Sequence, residues 1–308
     1  MSAAATPPAW RLFDVEVARI VHLSPTFRRL TFAGPDLHDF ADNGFDTRCK
    51  LVLPAPDGGF RHLDRGPDWL ASRREMPDRR RNPLRTYTVR RVRPGMVDVD
   101  VVAHGDSGPA GRWIEAARPG SPLVLVGPNA AHPGPHGGAE FRPPPQHDAL
   151  LLAGDETAVP AIAAILEGVP DDTRGVALLE VPVTADRLDL VAPPGVTVTW
   201  LPRDGDLHGA LLVPAVGAAV SELLATSGAE ATSPHEARTR VDLDDQLLWD
   251  VPVDAAGEPL VDHAALYAWL AGEAGIVTTL RRHLVRDRCL DPRTVAFMGY
   301  WRLGKTGP

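Results

Sequence analysis

The run Arg85-Thr86-Tyr87-Thr88 combines a guanidinium, an aromatic ring and two hydroxyl groups. On a β-strand, Arg85 and Tyr87 face one side and the two threonines face the other. A guanidinium can hold a phosphate through two hydrogen bonds, an aromatic ring can stack on a planar group, and a hydroxyl can bond to ring heteroatoms. The run therefore indicates a planar, phosphate-bearing cofactor, and an ordinary amphipathic strand is the alternative.

A glycine-rich segment follows in the same half of the chain, between a predicted strand and a predicted helix. Its candidate cofactor-binding residues are His104, Ser107, Gly108, Pro109, Ala110 and Trp113. Backbone N–H groups at a helix N-terminus form an anion site that suits a pyrophosphate, and a proline near a helix start loses no hydrogen bond. The segment predicts phosphate binding, with a capped turn at Asp106 or Ser107 as the alternative.

A third segment, in the second half of the chain, joins a buried strand to an alanine-rich helix. Its candidates are Gly154, Asp155, Glu156, Thr157 and Ala158. Ligands of open α/β sheets bind at the carboxyl ends of strands, which is where this segment falls. The glycine lets a nucleotide approach the backbone, and Thr157 can cap the helix or bind a phosphate. Because the segment is not a complete G-x-G-x-x-G fingerprint, it is weak evidence for a dinucleotide site by itself.

Two more segments follow predicted strands of the second half. The first contributes Trp269, Ala271, Gly272 and Glu273. The second contributes Tyr300 and Trp301. Both are interpreted as cofactor-binding. For Glu273 the alternative is an acid at a helix N-terminus, where the helix dipole favours it. For the two aromatic residues the alternative is hydrophobic anchoring of the chain end.

The elements that position these residues differ between the two halves of the chain. From Trp10 to about Val126, short alternating or apolar runs are separated by turn residues, which predicts an antiparallel sheet or β-barrel. The predicted strands are Phe13–Leu23, Arg28–Phe32, Lys50–Leu53, Thr86–Val92, Val97–Val102 and Leu123–Val126. One helix fits this half, at about Ala110–Ala117.

Strands and helices alternate in the second half, which is typical of a parallel, Rossmann-like α/β sheet. The predicted strands are Ala149–Ala153, Val176–Val181, Val196–Leu201, Tyr267–Ala271 and Val295–Tyr300. The predicted helices are Ala158–Glu167, Ala215–Thr226 and Ile276–Val285.

The chain is therefore predicted to consist of four parts. Residues 1–9 form a disordered lead, 10–128 a β-barrel domain, 129–147 a linker rich in proline and glycine, and 148–308 an α/β domain. An acidic stretch at 227–250 interrupts the alternation of strands and helices, and we interpret it as an insertion.

Composition excludes several classes of protein. The 308 residues are 44% hydrophobic and 23% charged, as in a globular protein with a substantial core. The net charge of −8 argues against a duplex nucleic-acid binder, and no apolar run is long enough for a membrane span. Two cysteines cannot supply a disulfide framework. The closest histidine pair, His132 and His136, lies in the linker rather than on a helix, so we expect no metal site. The N-terminus lacks a signal-peptide pattern, so we expect a cytoplasmic protein, which we take to be a monomer.

In their order along the chain, the first two segments resemble those of the ferredoxin-NADP-reductase superfamily. All five together are most similar to the siderophore-interacting protein family, the flavin-dependent ferric-siderophore reductases, and the resemblance extends over about residues 10–305. It implies FAD bound by the β-barrel domain, NADPH or NADH bound by the α/β domain, and a ferric siderophore as the substrate. It also implies that Tyr300 and Trp301 border the isoalloxazine ring.

A protein of negative net charge repels an anionic siderophore, so the implied substrate requires a local positive site. The candidate substrate-binding residues are Lys50, which resembles the family's siderophore-contacting lysine, and the tail residues Arg302 and Lys305. Five arginines from Arg73 to Arg81 are a further source of charge, although such runs are more often solvated surface. The family often has another basic residue at the position where this chain has Asn129. The group of basic substrate-binding residues is therefore either incomplete at that position or completed by the five arginines.

The implied reaction needs a converter, because NAD(P)H donates a hydride whereas Fe(III) accepts one electron. A flavin performs this conversion, so we expect no catalytic acid or base, and the siderophore itself ligates the iron. The choice of nucleotide is open, since Arg187 favours a 2′-phosphate and Glu180 favours its absence. Two alternatives are a related reductase for another acceptor, such as free flavin or an electron-transfer protein, and a non-catalytic siderophore carrier.

Overall fold

The structure, a computed structural model, describes residues 6–103, 108–227 and 249–304. The chain divides into two compact units, with the boundary between Ala139 and Glu140. Within the described ranges, no helix combines the length and the apolar character needed to cross a lipid bilayer.

Seven strands build the first unit: β1 Trp10–His22, β2 Phe27–Ala33, β3 Arg48–Val52, β4 Leu84–Thr88, β5 Arg91–Arg93, β6 Met96–Val102 and β7 Pro122–Pro128. They form one sheet in the order β4-β3-β7-β1-β2-β6-β5, and every neighbouring pair is antiparallel. The predicted antiparallel architecture is confirmed, as a half-barrel sheet whose edge strands are β4 and β5.

One predicted strand, Thr86–Val92, is two strands in the structure. The chain changes partner between Val89, whose N–H donates to the carbonyl of Thr47, and Arg90, whose N–H donates to the carbonyl of Asp98, both at 2.8 Å. As a result β4 pairs with β3 and β5 pairs with β6. A strand-like residue pattern continues across the break, so the sequence pattern alone does not reveal it.

The half-barrel encloses a core of alternating residues. On β1, Phe13, Val15 and Val17 are buried while the residues between them are exposed, as the period of a strand requires. Cys49 of β3 lies in the same core, and burial raises the pKa of its thiol to about 12. The thiol is therefore neutral at physiological pH.

The first unit contains the helices α1, Trp69–Glu75, and α2, Gly108–Ala116. The sequence predicts α2, although the helix begins at Gly108, two residues before the predicted start at Ala110. The sequence analysis misses α1, because the end of that helix lies in the arginine-rich run. Trp69 of α1 packs, together with Leu63, on a cluster that includes Val52. The arginine run, which is a candidate source of charge with solvated surface as the alternative, therefore overlaps a helix that has a packed face.

The described part of the second unit has the strands β8 Gln146–His147, β9 Leu150–Gly154, β10 Arg174–Val181, β11 Gly195–Pro202, β12 Trp249–Asp250, β13 His263–Ala264, β14 Tyr267–Glu273 and β15 Val295–Trp301. Six form one sheet in the order β11-β10-β9-β14-β15-β12, which is parallel except at the edge strand β12. Strands β8 and β13 form a separate parallel pair. The predicted parallel α/β architecture is confirmed.

The helices of the second unit are α3 Val159–Gly168, α4 Leu212–Ser227 and α5 Ala274–Arg282. A π-helical turn over His283–Asp287 continues α5. Strand β9 is buried at all of its residues, which explains its continuous apolar run, and Val216 of α4 and Val277 of α5 belong to the same core. The predicted insertion at 227–250 lies mostly outside the described residues, and its last two residues form β12.

Candidate functional site

The Arg-Thr-Tyr-Thr run lies on β4, an edge strand of the first unit's sheet. The hydroxyls of Tyr87 and Thr88 make no hydrogen bond with any residue that the structure describes, whereas Thr86 accepts one from Lys50 Nζ at 3.1 Å. Burial raises the pKa of Tyr87 to about 12, so its phenol stays protonated and can donate. Two hydroxyls at a sheet edge that have no partner among the described residues can bond to a ligand with polar ring atoms, as a flavin has.

The helix start at Gly108 belongs to the same unit. Gly108 has a φ of +84°, a conformation that favours glycine, and a Cβ at this position would meet no atom within 4 Å. As far as the described residues show, nothing occupies the space beside this backbone, which suits close approach of a phosphate to the helix N-terminus. Two candidates of this segment, His104 and Ser107, lie outside the described residues.

The other candidates of this segment belong to α2 and support it. Ala110 is buried, and the ring of Trp113 stacks on Phe32 with their centroids 6.5 Å apart. Pro109 is the second residue of the helix, where its missing N–H is not needed. These side chains hold the helix in place, and its backbone is what a phosphate can reach.

Three candidate segments of the second unit meet at the carboxyl ends of β9, β14 and β15. Gly154 is the Cα partner of Ala271, and Glu273 is the partner of Trp301. Because parallel strands end at the same edge of a sheet, residues far apart in the sequence become neighbours here.

Asp155, directly after β9, connects these segments. Its Oδ1 accepts hydrogen bonds from the N–H and the hydroxyl of Thr157 at 2.9 and 2.5 Å. Its Oδ2 accepts from the N–H of Glu273 at 2.7 Å and from Nε1–H of Trp301 at 2.8 Å. Burial and the neighbouring charge of Glu156 raise the pKa of Asp155 to about 6. Four donors saturate a carboxylate, so Asp155 fastens the strand ends together. Thr157 donates to Asp155 and does not cap α3, whose N-cap residue is Ala158 and which has no side-chain cap.

We expect Asp155 to make the second unit less stable as the pH rises from about 4 to about 6. The folded protein holds this proton more tightly than the unfolded chain, so the stability is full below the unfolded pKa and declines until the pH passes the folded value of about 6. In urea melts across this range, the free energy of unfolding of the wild type should fall by about 2 kcal/mol relative to that of Asp155→Asn.

A matched control for this pH effect is Asp204→Asn. Asp204 accepts hydrogen bonds from the hydroxyl and N–H of Thr184, and these lower its pKa, so its titration lies below this range. Parallel curves for the wild type and Asp155→Asn would show that the proton on Asp155 is not linked to folding.

Glu273, at the end of β14, caps helix α5. Its Oε2 accepts from the N–H of Gly275 at 2.7 Å and from the next N–H of the helix at 3.0 Å, and its Oε1 accepts from the N–H of Leu303 at 3.1 Å. The structure therefore shows Glu273 in the role predicted as its alternative, an acid at a helix N-terminus. Gly272 has a φ of +140°, and a Cβ there would lie 2.6 Å from the carboxylate of Asp155, so only glycine fits.

A buried ion group that sequence reasoning missed lies beside this edge. Arg203 donates to both carboxylate oxygens of Glu156 at 2.8 and 3.0 Å, and more distantly to Glu180 at 3.4 Å. Arg203 follows β11 and belongs to no motif. The signal that could have found it is the pair of acids at the ends of buried strands, because buried carboxylates need a cation. Glu156, a predicted cofactor-binding residue, is therefore engaged in an ion pair with Arg203.

Glu180 is fully buried and also serves as a helix cap. It accepts hydrogen bonds from the N–H groups of Gly209, Leu211 and Leu212 at 2.8, 3.2 and 3.0 Å. The N-terminus of α4 is thereby balanced by a carboxylate of the protein itself. Glu180 is not available to a ribose hydroxyl, which removes the sequence indication for NADH.

Four candidates of the second unit belong to its core, namely Gly154, Ala158, Trp269 and Ala271. A Cβ on Gly154 would lie 2.5 Å from both the Cβ of Ala158 and the carbonyl oxygen of Ala271. The glycine is therefore needed for strand β9 to pack against its neighbours, and the space above its Cα is filled by protein instead of being open to a nucleotide.

The two tail aromatics are half-buried. The ring of Trp301 is edge-on to His208 with centroids 5.0 Å apart, and its indole N–H binds Asp155. Tyr300 is edge-on to Trp269 at 6.5 Å. Trp301 therefore anchors the chain end, which is the alternative role predicted for the two tail aromatics.

The candidate substrate residues differ in their surroundings. Lys50 is half-buried on β3, and burial together with the charge of Arg48 lowers the pKa of its amine. Arg302 is exposed in the second unit, and Lys305 lies outside the described residues.

The histidine pair of the predicted linker is engaged by protein groups. The ring centroids of His132 and His136 are 5.9 Å apart. Both nitrogens of His136 contact protein oxygens, of Asn43 at 2.9 Å and Asn129 at 2.8 Å, and Nδ1 of His132 contacts the carbonyl of Pro7 at 2.8 Å. Among the described residues, no group of three or more His, Cys, Asp or Glu side chains is placed to hold a metal.

Two family models match the chain. Residues 16–132 match the siderophore-interacting FAD-binding domain, and residues 147–304 match the siderophore-interacting protein model. Together they include all five segments that the sequence singles out.

Similar proteins extend over most of the chain. A protein of Mycobacterium tuberculosis (strain ATCC 25618 / H37Rv), described as uncharacterized, is 33% identical over 96% of this chain and 92% of its own length. Ferric vibriobactin reductase ViuB of Vibrio cholerae is 32% identical over 72% of this chain and 76% of its own. Among solved structures, the siderophore-interacting protein SipS from Aeromonas hydrophila has a TM-score of 0.64 and 30% identity over 97% of this chain and 94% of its own.

Proposed function

This chain belongs to the siderophore-interacting protein family, and on that premise we propose that it reduces ferric siderophores with electrons that NAD(P)H supplies through FAD. The observation that carries the proposal is the FAD-binding match over residues 16–132, which include the unpaired hydroxyls of Tyr87 and Thr88. The relative named ferric vibriobactin reductase supports the substrate class. Bound FAD would convert a two-electron hydride into the single electrons that Fe(III) accepts.

In the first unit, we assign the flavin to the edge strand β4 and the start of α2. Arg85 would hold a phosphate, Tyr87 would stack on the ring and Thr88 would bond to a ring heteroatom. The open backbone at Gly108 would receive the pyrophosphate. The hydroxyls of Tyr87 and Thr88, which have no partner among the described residues, support these roles.

In the second unit, we assign NAD(P)H to the edge formed by the carboxyl ends of β9, β14 and β15. Asp155 and Glu273 act there as positioning residues, because they fasten the tail at Trp301 and Leu303. In the first unit, Lys50 would contact the siderophore, and Arg302 and Lys305 stay predicted substrate-binding residues of the second unit. We also propose that the protein acts as a cytoplasmic monomer.

Arg187 is expected to select NADPH. It is exposed beyond the end of β10, and Glu180, whose carboxylate would oppose a 2′-phosphate, is buried and bonded elsewhere. Arg187→Ala should raise the KM for NADPH about tenfold and change that for NADH less than about twofold, because one charge-assisted contact is lost. Steady-state kinetics with both nucleotides measure this.

The control for that experiment is Arg174→Ala. Arg174 is also exposed, but it lies at the amino end of the same strand, away from where nucleotides bind. Equal changes of KM for NADPH and NADH in Arg187→Ala would show that this guanidinium does not read the 2′-phosphate.

The function is tested by loading the protein with FAD and adding NADPH or NADH without oxygen. A ferric siderophore should then reoxidise the flavin, and a colourimetric chelator should trap Fe(II), whereas the gallium(III) complex of the same siderophore should not reoxidise it. Failure to take up FAD would leave the carrier alternative, and reoxidation by free flavin or a redox protein but not by ferric chelates would leave the other reductase.

A further inference from the structure

Two loops of the second unit meet at the carboxyl ends of the neighbouring strands β10 and β11. The two strands are paired up to their last residues, Val181 and Pro202. The loops stay paired beyond these ends, because the N–H of Asp204 donates to the carbonyl of Pro182 at 3.0 Å. Ligands of open α/β sheets bind at the carboxyl ends of the strands, so residues of these two loops are placed to contact a nucleotide.

Asp204 is exposed, yet its side chain is held in place by the other loop. Its Oδ1 accepts a hydrogen bond from the N–H of Thr184 at 2.9 Å, and its Oδ2 accepts one from the hydroxyl of Thr184 at 2.7 Å. The backbone of Asp204 has a φ of +47°, a conformation that aspartate and asparagine adopt more readily than most other residues. Both oxygens of the carboxylate therefore have a defined position at the end of β11.

Arg187 belongs to the same loop as Thr184. It follows the short turn Thr184–Asp186, and its N–H donates to the carbonyl of Thr184 at 3.4 Å. Arg187 is exposed and forms no salt bridge with any residue that the structure describes. The hydrogen bonds from Thr184 and the charge of Arg187 lower the pKa of Asp204, so this carboxyl is ionised at neutral pH. A negative charge therefore lies near the guanidinium that we expect to read a 2′-phosphate.

The two charges have opposite effects on a bound nucleotide. A guanidinium attracts a 2′-phosphate, whereas a carboxylate repels it and can accept a hydrogen bond from the 2′-hydroxyl of NADH. Glu180, the acid that the sequence offers for this second role, is bonded to the start of α4. Asp204 supplies an exposed acid instead, one strand further along the sheet.

We propose that Asp204 is a specificity-determining residue for the electron donor, which opposes Arg187 and thereby lowers the affinity for NADPH relative to that for NADH. This inference rests on the proposed function, because it concerns the nucleotide that we assign to the second unit. The carboxylate of Asp204 also takes both donors of Thr184, so these donors are not free for a 2′-phosphate. Together, Arg187 and Asp204 predict a protein that accepts both nucleotides with a limited preference for NADPH.

The test is calorimetric binding of the oxidised nucleotides NADP⁺ and NAD⁺ to the full-length protein after incubation with FAD. The Kd of NAD⁺ divided by the Kd of NADP⁺ should rise about tenfold in Asp204→Asn, because a negative charge near the 2′-phosphate is removed. Asparagine tolerates the positive φ, so the loop should keep its conformation. Asp172→Asn removes an exposed acid before the amino end of β10 and should leave this ratio unchanged.

A second pair of probes locates the effect in the adenosine half of the nucleotide. Adenosine 2′,5′-bisphosphate and 5′-AMP differ only in the 2′-phosphate, and the ratio of their Kd values should rise in Asp204→Asn as the ratio for the dinucleotides does. If Asp204→Asn does not fold, Asp204→Gly takes its place with the same expected rise, because glycine adopts a positive φ freely. An unchanged or lower ratio in the folded variant, or a change confined to the dinucleotides, would overturn the inference.

The oxidised nucleotides and the two fragments donate no electrons, so these affinities do not depend on iron reduction. A protein that shows the expected ratios but reduces no ferric siderophore would reject the proposed function and keep the role of Asp204. Reduction of ferric siderophores together with an unchanged ratio in Asp204→Asn would reject that role alone.

Discussion

Replacing Arg85 by alanine is expected to lower the affinity for FAD about 10- to 100-fold while the protein stays folded. Arg85 is half-buried on the edge strand β4, next to the hydroxyls of Tyr87 and Thr88, which have no partner among the described residues. A guanidinium bound to a phosphate through two charge-assisted hydrogen bonds contributes this much to affinity. Flavin fluorescence during titration with FAD measures the change.

The control for Arg85→Ala is Arg19→Ala, which removes an exposed arginine from β1 of the same sheet. It should bind FAD as the wild type does. If Arg85→Ala retains its flavin to the same extent as the control, the motif on β4 does not bind a phosphate, and the flavin assignment must move elsewhere in the first unit.

Arg203→Met is expected to lower the free energy of unfolding by about 3–5 kcal/mol. Glu156 and Glu180 are both fully buried, and Arg203 is the cation that contacts their carboxylates. Without it, two buried negative charges face each other in a medium of low polarity. Denaturation in urea, followed by circular dichroism, measures the loss.

A second substitution separates charge from packing. Adding Glu156→Gln to Arg203→Met removes one of the unpaired charges, so the double variant should recover part of the lost stability. Arg174→Met, at an exposed position of the second unit, should change the free energy of unfolding by less than about 0.5 kcal/mol. A loss below about 1 kcal/mol in Arg203→Met would mean that water, not Arg203, solvates the two acids.

The sequence pattern predicts a strand correctly where the strand keeps the same hydrogen-bonding neighbours and the same burial along its length. The alternation of Phe13, Val15 and Val17 predicts β1, and the continuous apolar run of β9 predicts a strand buried on both faces. The pattern fails at Val89, because the change of hydrogen-bonding partner there depends on β6, which comes later in the chain. The sequence pattern also fails to predict α1, because the apolar face of this helix is short and its sequence includes arginines.

The site is predictable as a set of segments but not as a set of roles. Gly154, Asp155 and Glu273 are correctly placed at strand ends, yet their side chains bond to protein groups. The donors to Asp155 include Glu273 and Trp301, which lie far along the chain and become neighbours only through the order of the parallel strands. Arg203 escapes sequence reasoning for the same reason, since its role is defined by the acids that surround it and it belongs to no motif.

The buried thiol of Cys49 has a practical consequence for anyone who works with this protein. Since Cys49 is inert in its core, a maleimide dye will attach to Cys289 alone in the folded state, so a fluorescent label can be placed on the second unit without removing a native residue. Because oxidation attacks exposed thiolates, the same burial protects the sulfur of the first unit from oxidants.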